Sequence, residues 1–262
     1  MKEKANLIIN KLENKKASKS KTVFLFIGIL VVFIILSILS SNWFNSQAIK
    51  SIKINGNIIV SNGEIYDIIN DETIDVAIDD IDLYGIKKKI EMHPYISIAK
   101  VWINSKGVLS VEIKENIPIA IIIDSDNNLK FVDDKANVMP YRFYKGFTNL
   151  PIINNVFIKG IVNKPAVKGA ILILTELMTD YKNLSNSISE IRYSEHRKMY
   201  ELLLTDIDCP IFFGRADNIS DKLANLYVFW KNKLVMASSD ISELRYIDVR
   251  WKDVVIVRYK NI

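Results

Sequence analysis

Cysteine, proline, glycine and histidine are all scarce in this chain, and each shortage excludes something. Cys209 is the only cysteine in 262 residues, so no disulfide can form within the chain and its fold must rest on a packed core. Six prolines and nine glycines leave no Pro/Gly/Ser linker, no low-complexity tract and no convincing repeat. His93 and His196 are the only histidines, and neither stands at a metal-ligand spacing. A glycine-rich loop able to cradle phosphate is missing as well.

Fragments that imitate active-site motifs are weak. Asp124, Asp126 and Asn128 open like a calcium loop, but Leu129 replaces the glycine that the turn requires and Lys135 stands where a bidentate glutamate belongs. The stretch reads as a polar hairpin turn. Ser97 and Lys100 spell S-x-x-K on a predicted strand with no K-T-G after it. Asp79/Asp80 and Asp133/Asp134 read as caps and turns. The residues therefore predict no catalytic centre, no metal and no cofactor.

What the sequence does contain begins with one long apolar run. Val23 to Leu39 holds seventeen residues without a charge, which at about 1.5 Å per helical residue reach about 26 Å, close to the thickness of a bilayer core. The run exceeds the core of a signal peptide, and Trp43 and Phe44 after it suit a membrane interface. Residues 22–41 are expected to form an uncleaved transmembrane helix. Residues 1–21 hold seven lysines against two glutamates, a surplus of five, and positive flanks stay in the cytoplasm. Residues 1–21 are then a cytoplasmic tail, and everything from about Ser41 onward lies outside the cytoplasm. The whole chain's net charge is also +5, so the remainder is formally neutral and a basic nucleic-acid surface is not expected.

Beyond the run, Ile49 to Ile54 alternate like a half-buried strand, and Ser61 with Glu64 forms a capping box that opens a helix to Asn70. Leu83, Ile86 and Ile90 share a second helical face, started by Asp80 or Asp82 and stopped before Pro94. Ile96 to Ile103 and the alternating Leu109, Val111 and Ile113 are strands joined by a turn at Ser105-Lys106-Gly107. The order is strand, helix, helix, strand, strand. Further on, Ile119–Ile123, Leu129–Val132, Met199–Thr205, Ile211–Phe213, Leu244–Val249 and Val254–Tyr259 read as strands. Val167–Tyr181 and Ile219–Lys233 read as amphipathic helices, the second with Leu223, Leu226, Tyr227 and Trp230 on one stripe. An α+β fold, with mixed sheet packed against two helices, follows from that alternation. Trp102, Phe131, Phe229 and Trp230 are expected to fill the core.

One membrane span followed by a β-α-α-β-β module resembles the FtsQ/DivIB family. The resemblance rests on Asn55-Gly56-Asn57, His93-Pro94-Tyr95-Ile96, Ala99-Lys100-Val101, and Leu109 to Glu115 running into Asn116-Ile117-Pro118-Ile119-Ala120. It continues through Phe131-Val132-Asp133-Asp134, Val138-Met139-Pro140, Leu150-Pro151-Ile152-Ile153, Phe213-Gly214-Arg215, Lys222-Leu223 and Tyr246 to Trp251. It implies a POTRA domain over 45–116 and the family's mainly antiparallel β domain over 117–262. It also implies a non-enzymatic division scaffold in the cytoplasmic membrane that helps control septal peptidoglycan synthesis. FtsB/FtsL-like (DivIC-like) proteins are the expected partners at the C-terminal strand, and other divisome components at the POTRA domain. An extracytoplasmic POTRA-type sensor or assembly module is the alternative.

The terminal segment VRWKDVVIVRYK is the candidate binding element. Read as one alternating stretch, Trp251, Asp253, Val255, Val257 and Tyr259 point one way and Lys252, Val254, Ile256 and Arg258 the other. A last strand is often an edge that accepts another chain's strand. Arg250, Trp251, Val255, Val257 and Tyr259 are the expected partner-binding residues.

Overall fold

The computed structural model describes residues 25–40, 48–73, 76–147, 149–205, 207, 209–234 and 243–260. Residues 25–40 are helical with exposed aliphatic and aromatic side chains. No helix among the described residues is long and apolar enough to cross a membrane. The ends of the expected span, the lysine-rich tail, Trp43 and Phe44 lie outside the described residues.

The chain divides into two compact units. One comprises Met1–Gly56, Ser61–Ile90 and Ala99–Ile113, the other Asn57–Val60, Glu91–Ile98 and Lys114–Ile262. In the N-terminal part, β1 (Ser51–Asn55) half-buries Ile52 and Ile54 between exposed neighbours, the period-two pattern of a strand with one face covered. Gly56 ends it at φ +86°, where a Cβ would sit 2.1 Å from the Ile113 carbonyl oxygen, so only glycine fits. Helix α1 (Asn62–Ile69) has the expected capping box: Ser61 Oγ accepts from Glu64 N at 3.2 Å, and Glu64 Oε1 accepts from Ser61 N at 3.0 Å. Asp82 starts α2 (Leu83–Glu91) by accepting from Gly85 N at 2.9 Å. Ile65, Ile69, Ile86 and Ile90 are the buried residues of the two helices.

Strands β2 (Ile96–Ile103) and β3 (Val108–Glu115) meet at the expected turn. Its organiser is Asn104, whose Oδ1 accepts from Lys106 N and Val108 N. The sheet order is β1-β3-β2, with β1 parallel to β3 because two helices intervene. The β-α-α-β-β order read from the sequence is thus present. Trp102 corrects the expectation that it fills the core: it alternates outward on β2 and is 43% exposed.

The larger unit is built on one nine-stranded mixed sheet. Its strands are β4 (Pro118–Ile123), β5 (Leu129–Asp133), β6 (Val138–Pro140), β7 (Ile152–Asn154), β10 (Ile188–Ser194), β11 (Met199–Leu204), β12 (Ile211–Gly214), β13 (Leu244–Trp251) and β14 (Val254–Tyr259). Phe157–Ile158 and Ile161–Val162, β8 and β9, form a separate small ribbon. The order is β14-β13-β12-β11-β10-β7-β4-β5-β6. Five of the eight neighbouring pairs are antiparallel; β4/β7, β7/β10 and β12/β13 are parallel.

Two longer helices share the sheet's core. Helix α3 (Lys164–Asp180) starts earlier than its apolar pattern suggests, because Asn163 caps it and Pro165 sits in the first turn, where a missing N–H costs nothing. A single turn, α4 (Lys182–Ser185), follows, and α5 (Ile219–Phe229) runs on into one π-type turn, Trp230–Leu234. Ile171, Leu174 and Leu177 of α3 and Leu223 and Leu226 of α5 are buried in one cluster with Ile153, Ile191, Leu202, Ile211 and Ile247. Phe131 is buried as expected; Phe229 and Trp230 pack partly buried against that cluster.

Candidate protein-binding edge

The site starts at a hairpin turn. Lys252 and Asp253 link β13 to β14, with Asp253 at φ +56°, a conformation that short aspartate side chains tolerate. The turn resets the alternation that the sequence suggests. Trp251 lies opposite Val254 across it, and directly opposed residues share a face of an antiparallel pair. Trp251 therefore does not share a face with Val255 and Val257. Val257 pairs with fully buried Ile247, and both valines pack on the core. The exposed apolar groups are Trp251 at 56%, Val254 at 51%, Ile256 at 42% and Tyr259 at 40%.

Strand β14 ends the sheet order, and among the described residues no strand lies beyond it. Its outer row of N–H and C=O groups can template another strand. The opposite edge is closed. Strand β6 has three residues, Pro140 has no N–H, and Tyr95 Oη donates to the Pro140 carbonyl at 2.6 Å.

Two ion pairs organise the surroundings of the open edge. Arg250 donates through Nε and Nη2 to the two oxygens of Asp248 at 2.8 and 2.5 Å, and its guanidinium lies 5.5 Å from the Phe212 ring centroid. Burial pushes the Asp248 carboxyl up, but the Arg250 side-chain and backbone bonds outweigh it and hold it below the ordinary range. Arg250, expected to bind a partner, thus has its charge paired within the chain. Lys222 is buried on α5, where Nζ donates to the Arg215 carbonyl at 3.0 Å and to Asp217 Oδ1 at 2.6 Å. That bond holds the Asp217 carboxyl low and fixes the loop between β12 and α5. Asn218, Asp221, Lys222 and Asn225, one helical stripe, line an open polar cavity with Arg250, Trp251 and Lys252. The exposed Val254 and Ile256 were missed as candidate contacts, because only the turn reveals which parity faces out.

The imitation motifs resolve into structure. Asp124 Oδ1 accepts from Asp126 N at 2.9 Å and Asn128 N at 2.8 Å, the Asn128 backbone bond being the main cause of a lowered carboxyl. Asp133 makes the same turn, accepting from Lys135 N and Asn137 N. Ser97 and Lys100 differ in parity on β2, and they point to different partners, Lys135 and Glu112. His93 Nδ1 accepts from Tyr95 N at 3.3 Å, while His196 is exposed in the β10–β11 turn. Among the described residues no group of three His, Cys, Asp or Glu could hold a metal.

An open strand edge flanked by aromatic and aliphatic side chains offers unpaired backbone groups on which a further strand can be added. The chain belongs to the FtsQ/DivIB family: the profile described as FtsQ/DivIB, C-terminal related, matches residues 117–257, more than half of its length. It is similar to the cell division protein FtsQ of Geotalea daltonii, with 27% identity over 181 residues that cover 67% of this chain. The match spans 63% of that relative's length.

Proposed function

We propose that this chain is a non-enzymatic scaffold of bacterial cell division. It links division proteins outside the cytoplasm and helps control septal peptidoglycan synthesis. The observation that carries the reading is the open β14 edge in a member of the FtsQ/DivIB family. An FtsB/FtsL-like (DivIC-like) segment adds a strand to β14, with Trp251, Val254, Ile256 and Tyr259 as its side-chain contacts. The β-α-α-β-β module acts as a POTRA domain and engages further divisome components. Residues 22–41 anchor the chain once in the cytoplasmic membrane with the lysine-rich tail inside, a reading supported by the helix at 25–40 and its exposed apolar side chains.

The test is capture of an FtsB-like partner by the full chain carrying Ile256→Asp. Ile256 is half exposed, so the variant keeps its melting behaviour and loses the partner. A folded Ile256→Asp chain that binds the partner with wild-type affinity removes the edge mechanism.

A further inference from the structure

The segment Tyr141 to Phe147, YRFYKGF, leaves the closed end of the large sheet and is held on several sides. Phe131, buried in that sheet, has Tyr141 and Phe147 at 4.9 and 5.3 Å between ring centroids, and Tyr144 lies 4.9 Å from Phe147. Arg142 donates to the Ile59 carbonyl at 3.2 Å and lies 5.2 Å from the Tyr95 ring centroid. Between these fixed neighbours Phe143 is 85% exposed, next to half-exposed Tyr141 and exposed Lys145. Residues 141–150 contain no acid. A core-making residue is therefore presented to solvent by a braced loop whose other members, Gly146 apart, are aromatic or cationic.

That composition matches the interface of an anionic bilayer. Aromatic rings partition to the headgroup level, and lysine is attracted by anionic lipid by about 1 kcal/mol near the surface. A protein groove is a poorer fit, because the loop offers one projecting ring and a cation in place of a broad apolar face. We propose that the loop 141–147 docks on anionic lipid in the extracytoplasmic leaflet of the membrane that holds the anchor, with Phe143 at the acyl boundary and Lys145 among the headgroups. The inference rests on the membrane-anchored reading above. It adds a second membrane contact, made by the large unit itself.

The test uses the full chain in vesicles with a polarity-sensitive fluorophore on Phe143→Cys. Cys209 is buried, so the new thiol takes the label, and unlabelled wild type checks this. Asp126→Cys, in an exposed turn, is the control position. In phosphatidylcholine vesicles containing phosphatidylglycerol, the label at 143 is expected to shift to the blue and to be quenched by a nitroxide on the lipid chain, while the label at 126 is not. Lys145→Glu and purely zwitterionic vesicles should each reduce the shift. A label at 143 that stays in water while the chain floats with the vesicles overturns the loop contact but leaves the anchor standing, and assigns Phe143 to a protein partner. A shift of equal size without anionic lipid overturns the role given to Lys145. A chain that fails to float removes the anchor reading itself.

Discussion

Asp248 and Arg250, two residues apart on β13, close a two-pronged ion pair on the sheet face opposite Ile247 and Val249. The Asp248 carboxyl sits below its usual range, so the sign of its effect on stability is set. Its contribution is full above the unfolded value of about 3.9 and is lost as pH falls through the lower folded value. Asp248→Asn is expected to cost about 1–3 kcal/mol near neutrality, as charged hydrogen bonds do. Melting followed from pH 7 to pH 3 checks it: the variant's deficit should shrink as the wild type becomes protonated.

Gly169 reverses the usual rule for helices. Glycine to alanine inside a helix ordinarily stabilises by about 1 kcal/mol, but here a Cβ would meet Tyr200 Oη at 2.1 Å. That hydroxyl donates to the Ala166 carbonyl at 2.8 Å. Gly169→Ala is expected to destabilise by about 1–3 kcal/mol through overpacking, read as a lowered midpoint in urea. Tyr200→Phe should relieve only part of the loss, because the ring carbon Cζ also stands within 2.8 Å of the new methyl.

Glu115 is a buried carboxylate that accepts from Ile59 N at 3.1 and 2.8 Å and from Val60 N at 2.8 Å. Glu115→Ala leaves those backbone donors without their acceptor, a loss of about 1–3 kcal/mol per group. Hydrogen exchange at Ile59 and Val60 should accelerate in the variant, while exchange in the core of α3 changes only as far as global stability falls.

Strand β14 separates two effects within two residues. Val257 packs on the core, so Val257→Ala should lower stability by about 1 kcal/mol. Ile256→Ala faces outward and should stay within about 0.5 kcal/mol of wild type. In partner capture the order should reverse, with Ile256→Ala and Trp251→Ala weakening binding more than Val257→Ala. Equal losses from all three would point to unfolding and away from a surface.

Much of the local structure is legible in the sequence. The capping box at Ser61 and Glu64, the Asp82 start, the stop at Pro94 and the turn before β3 depend on residues close in sequence, where hydrogen bonds and steric limits act directly. Strand β10 was not legible. A bulge between Ile188 and Glu190 breaks the alternation, so its buried Ile188, Ile191 and Tyr193 do not read as one face. The short β6 and β7 carry too few residues to show any period, and only their partners make them strands.

The sequence by itself determined the order of strands and helices, the lysine-flanked apolar run and the lack of metal-binding histidine or cysteine motifs, because each is a matter of residue type and short spacing. The tertiary structure decided which strand ends the sheet, which face of β14 looks outward, that Trp102 is exposed and that Arg250 is paired with Asp248. Those outcomes depend on which strands lie side by side. A two-residue turn at Lys252 and Asp253 is enough to move Trp251 from the face it shares by alternation to the face of Val254, and no one-dimensional period carries that information.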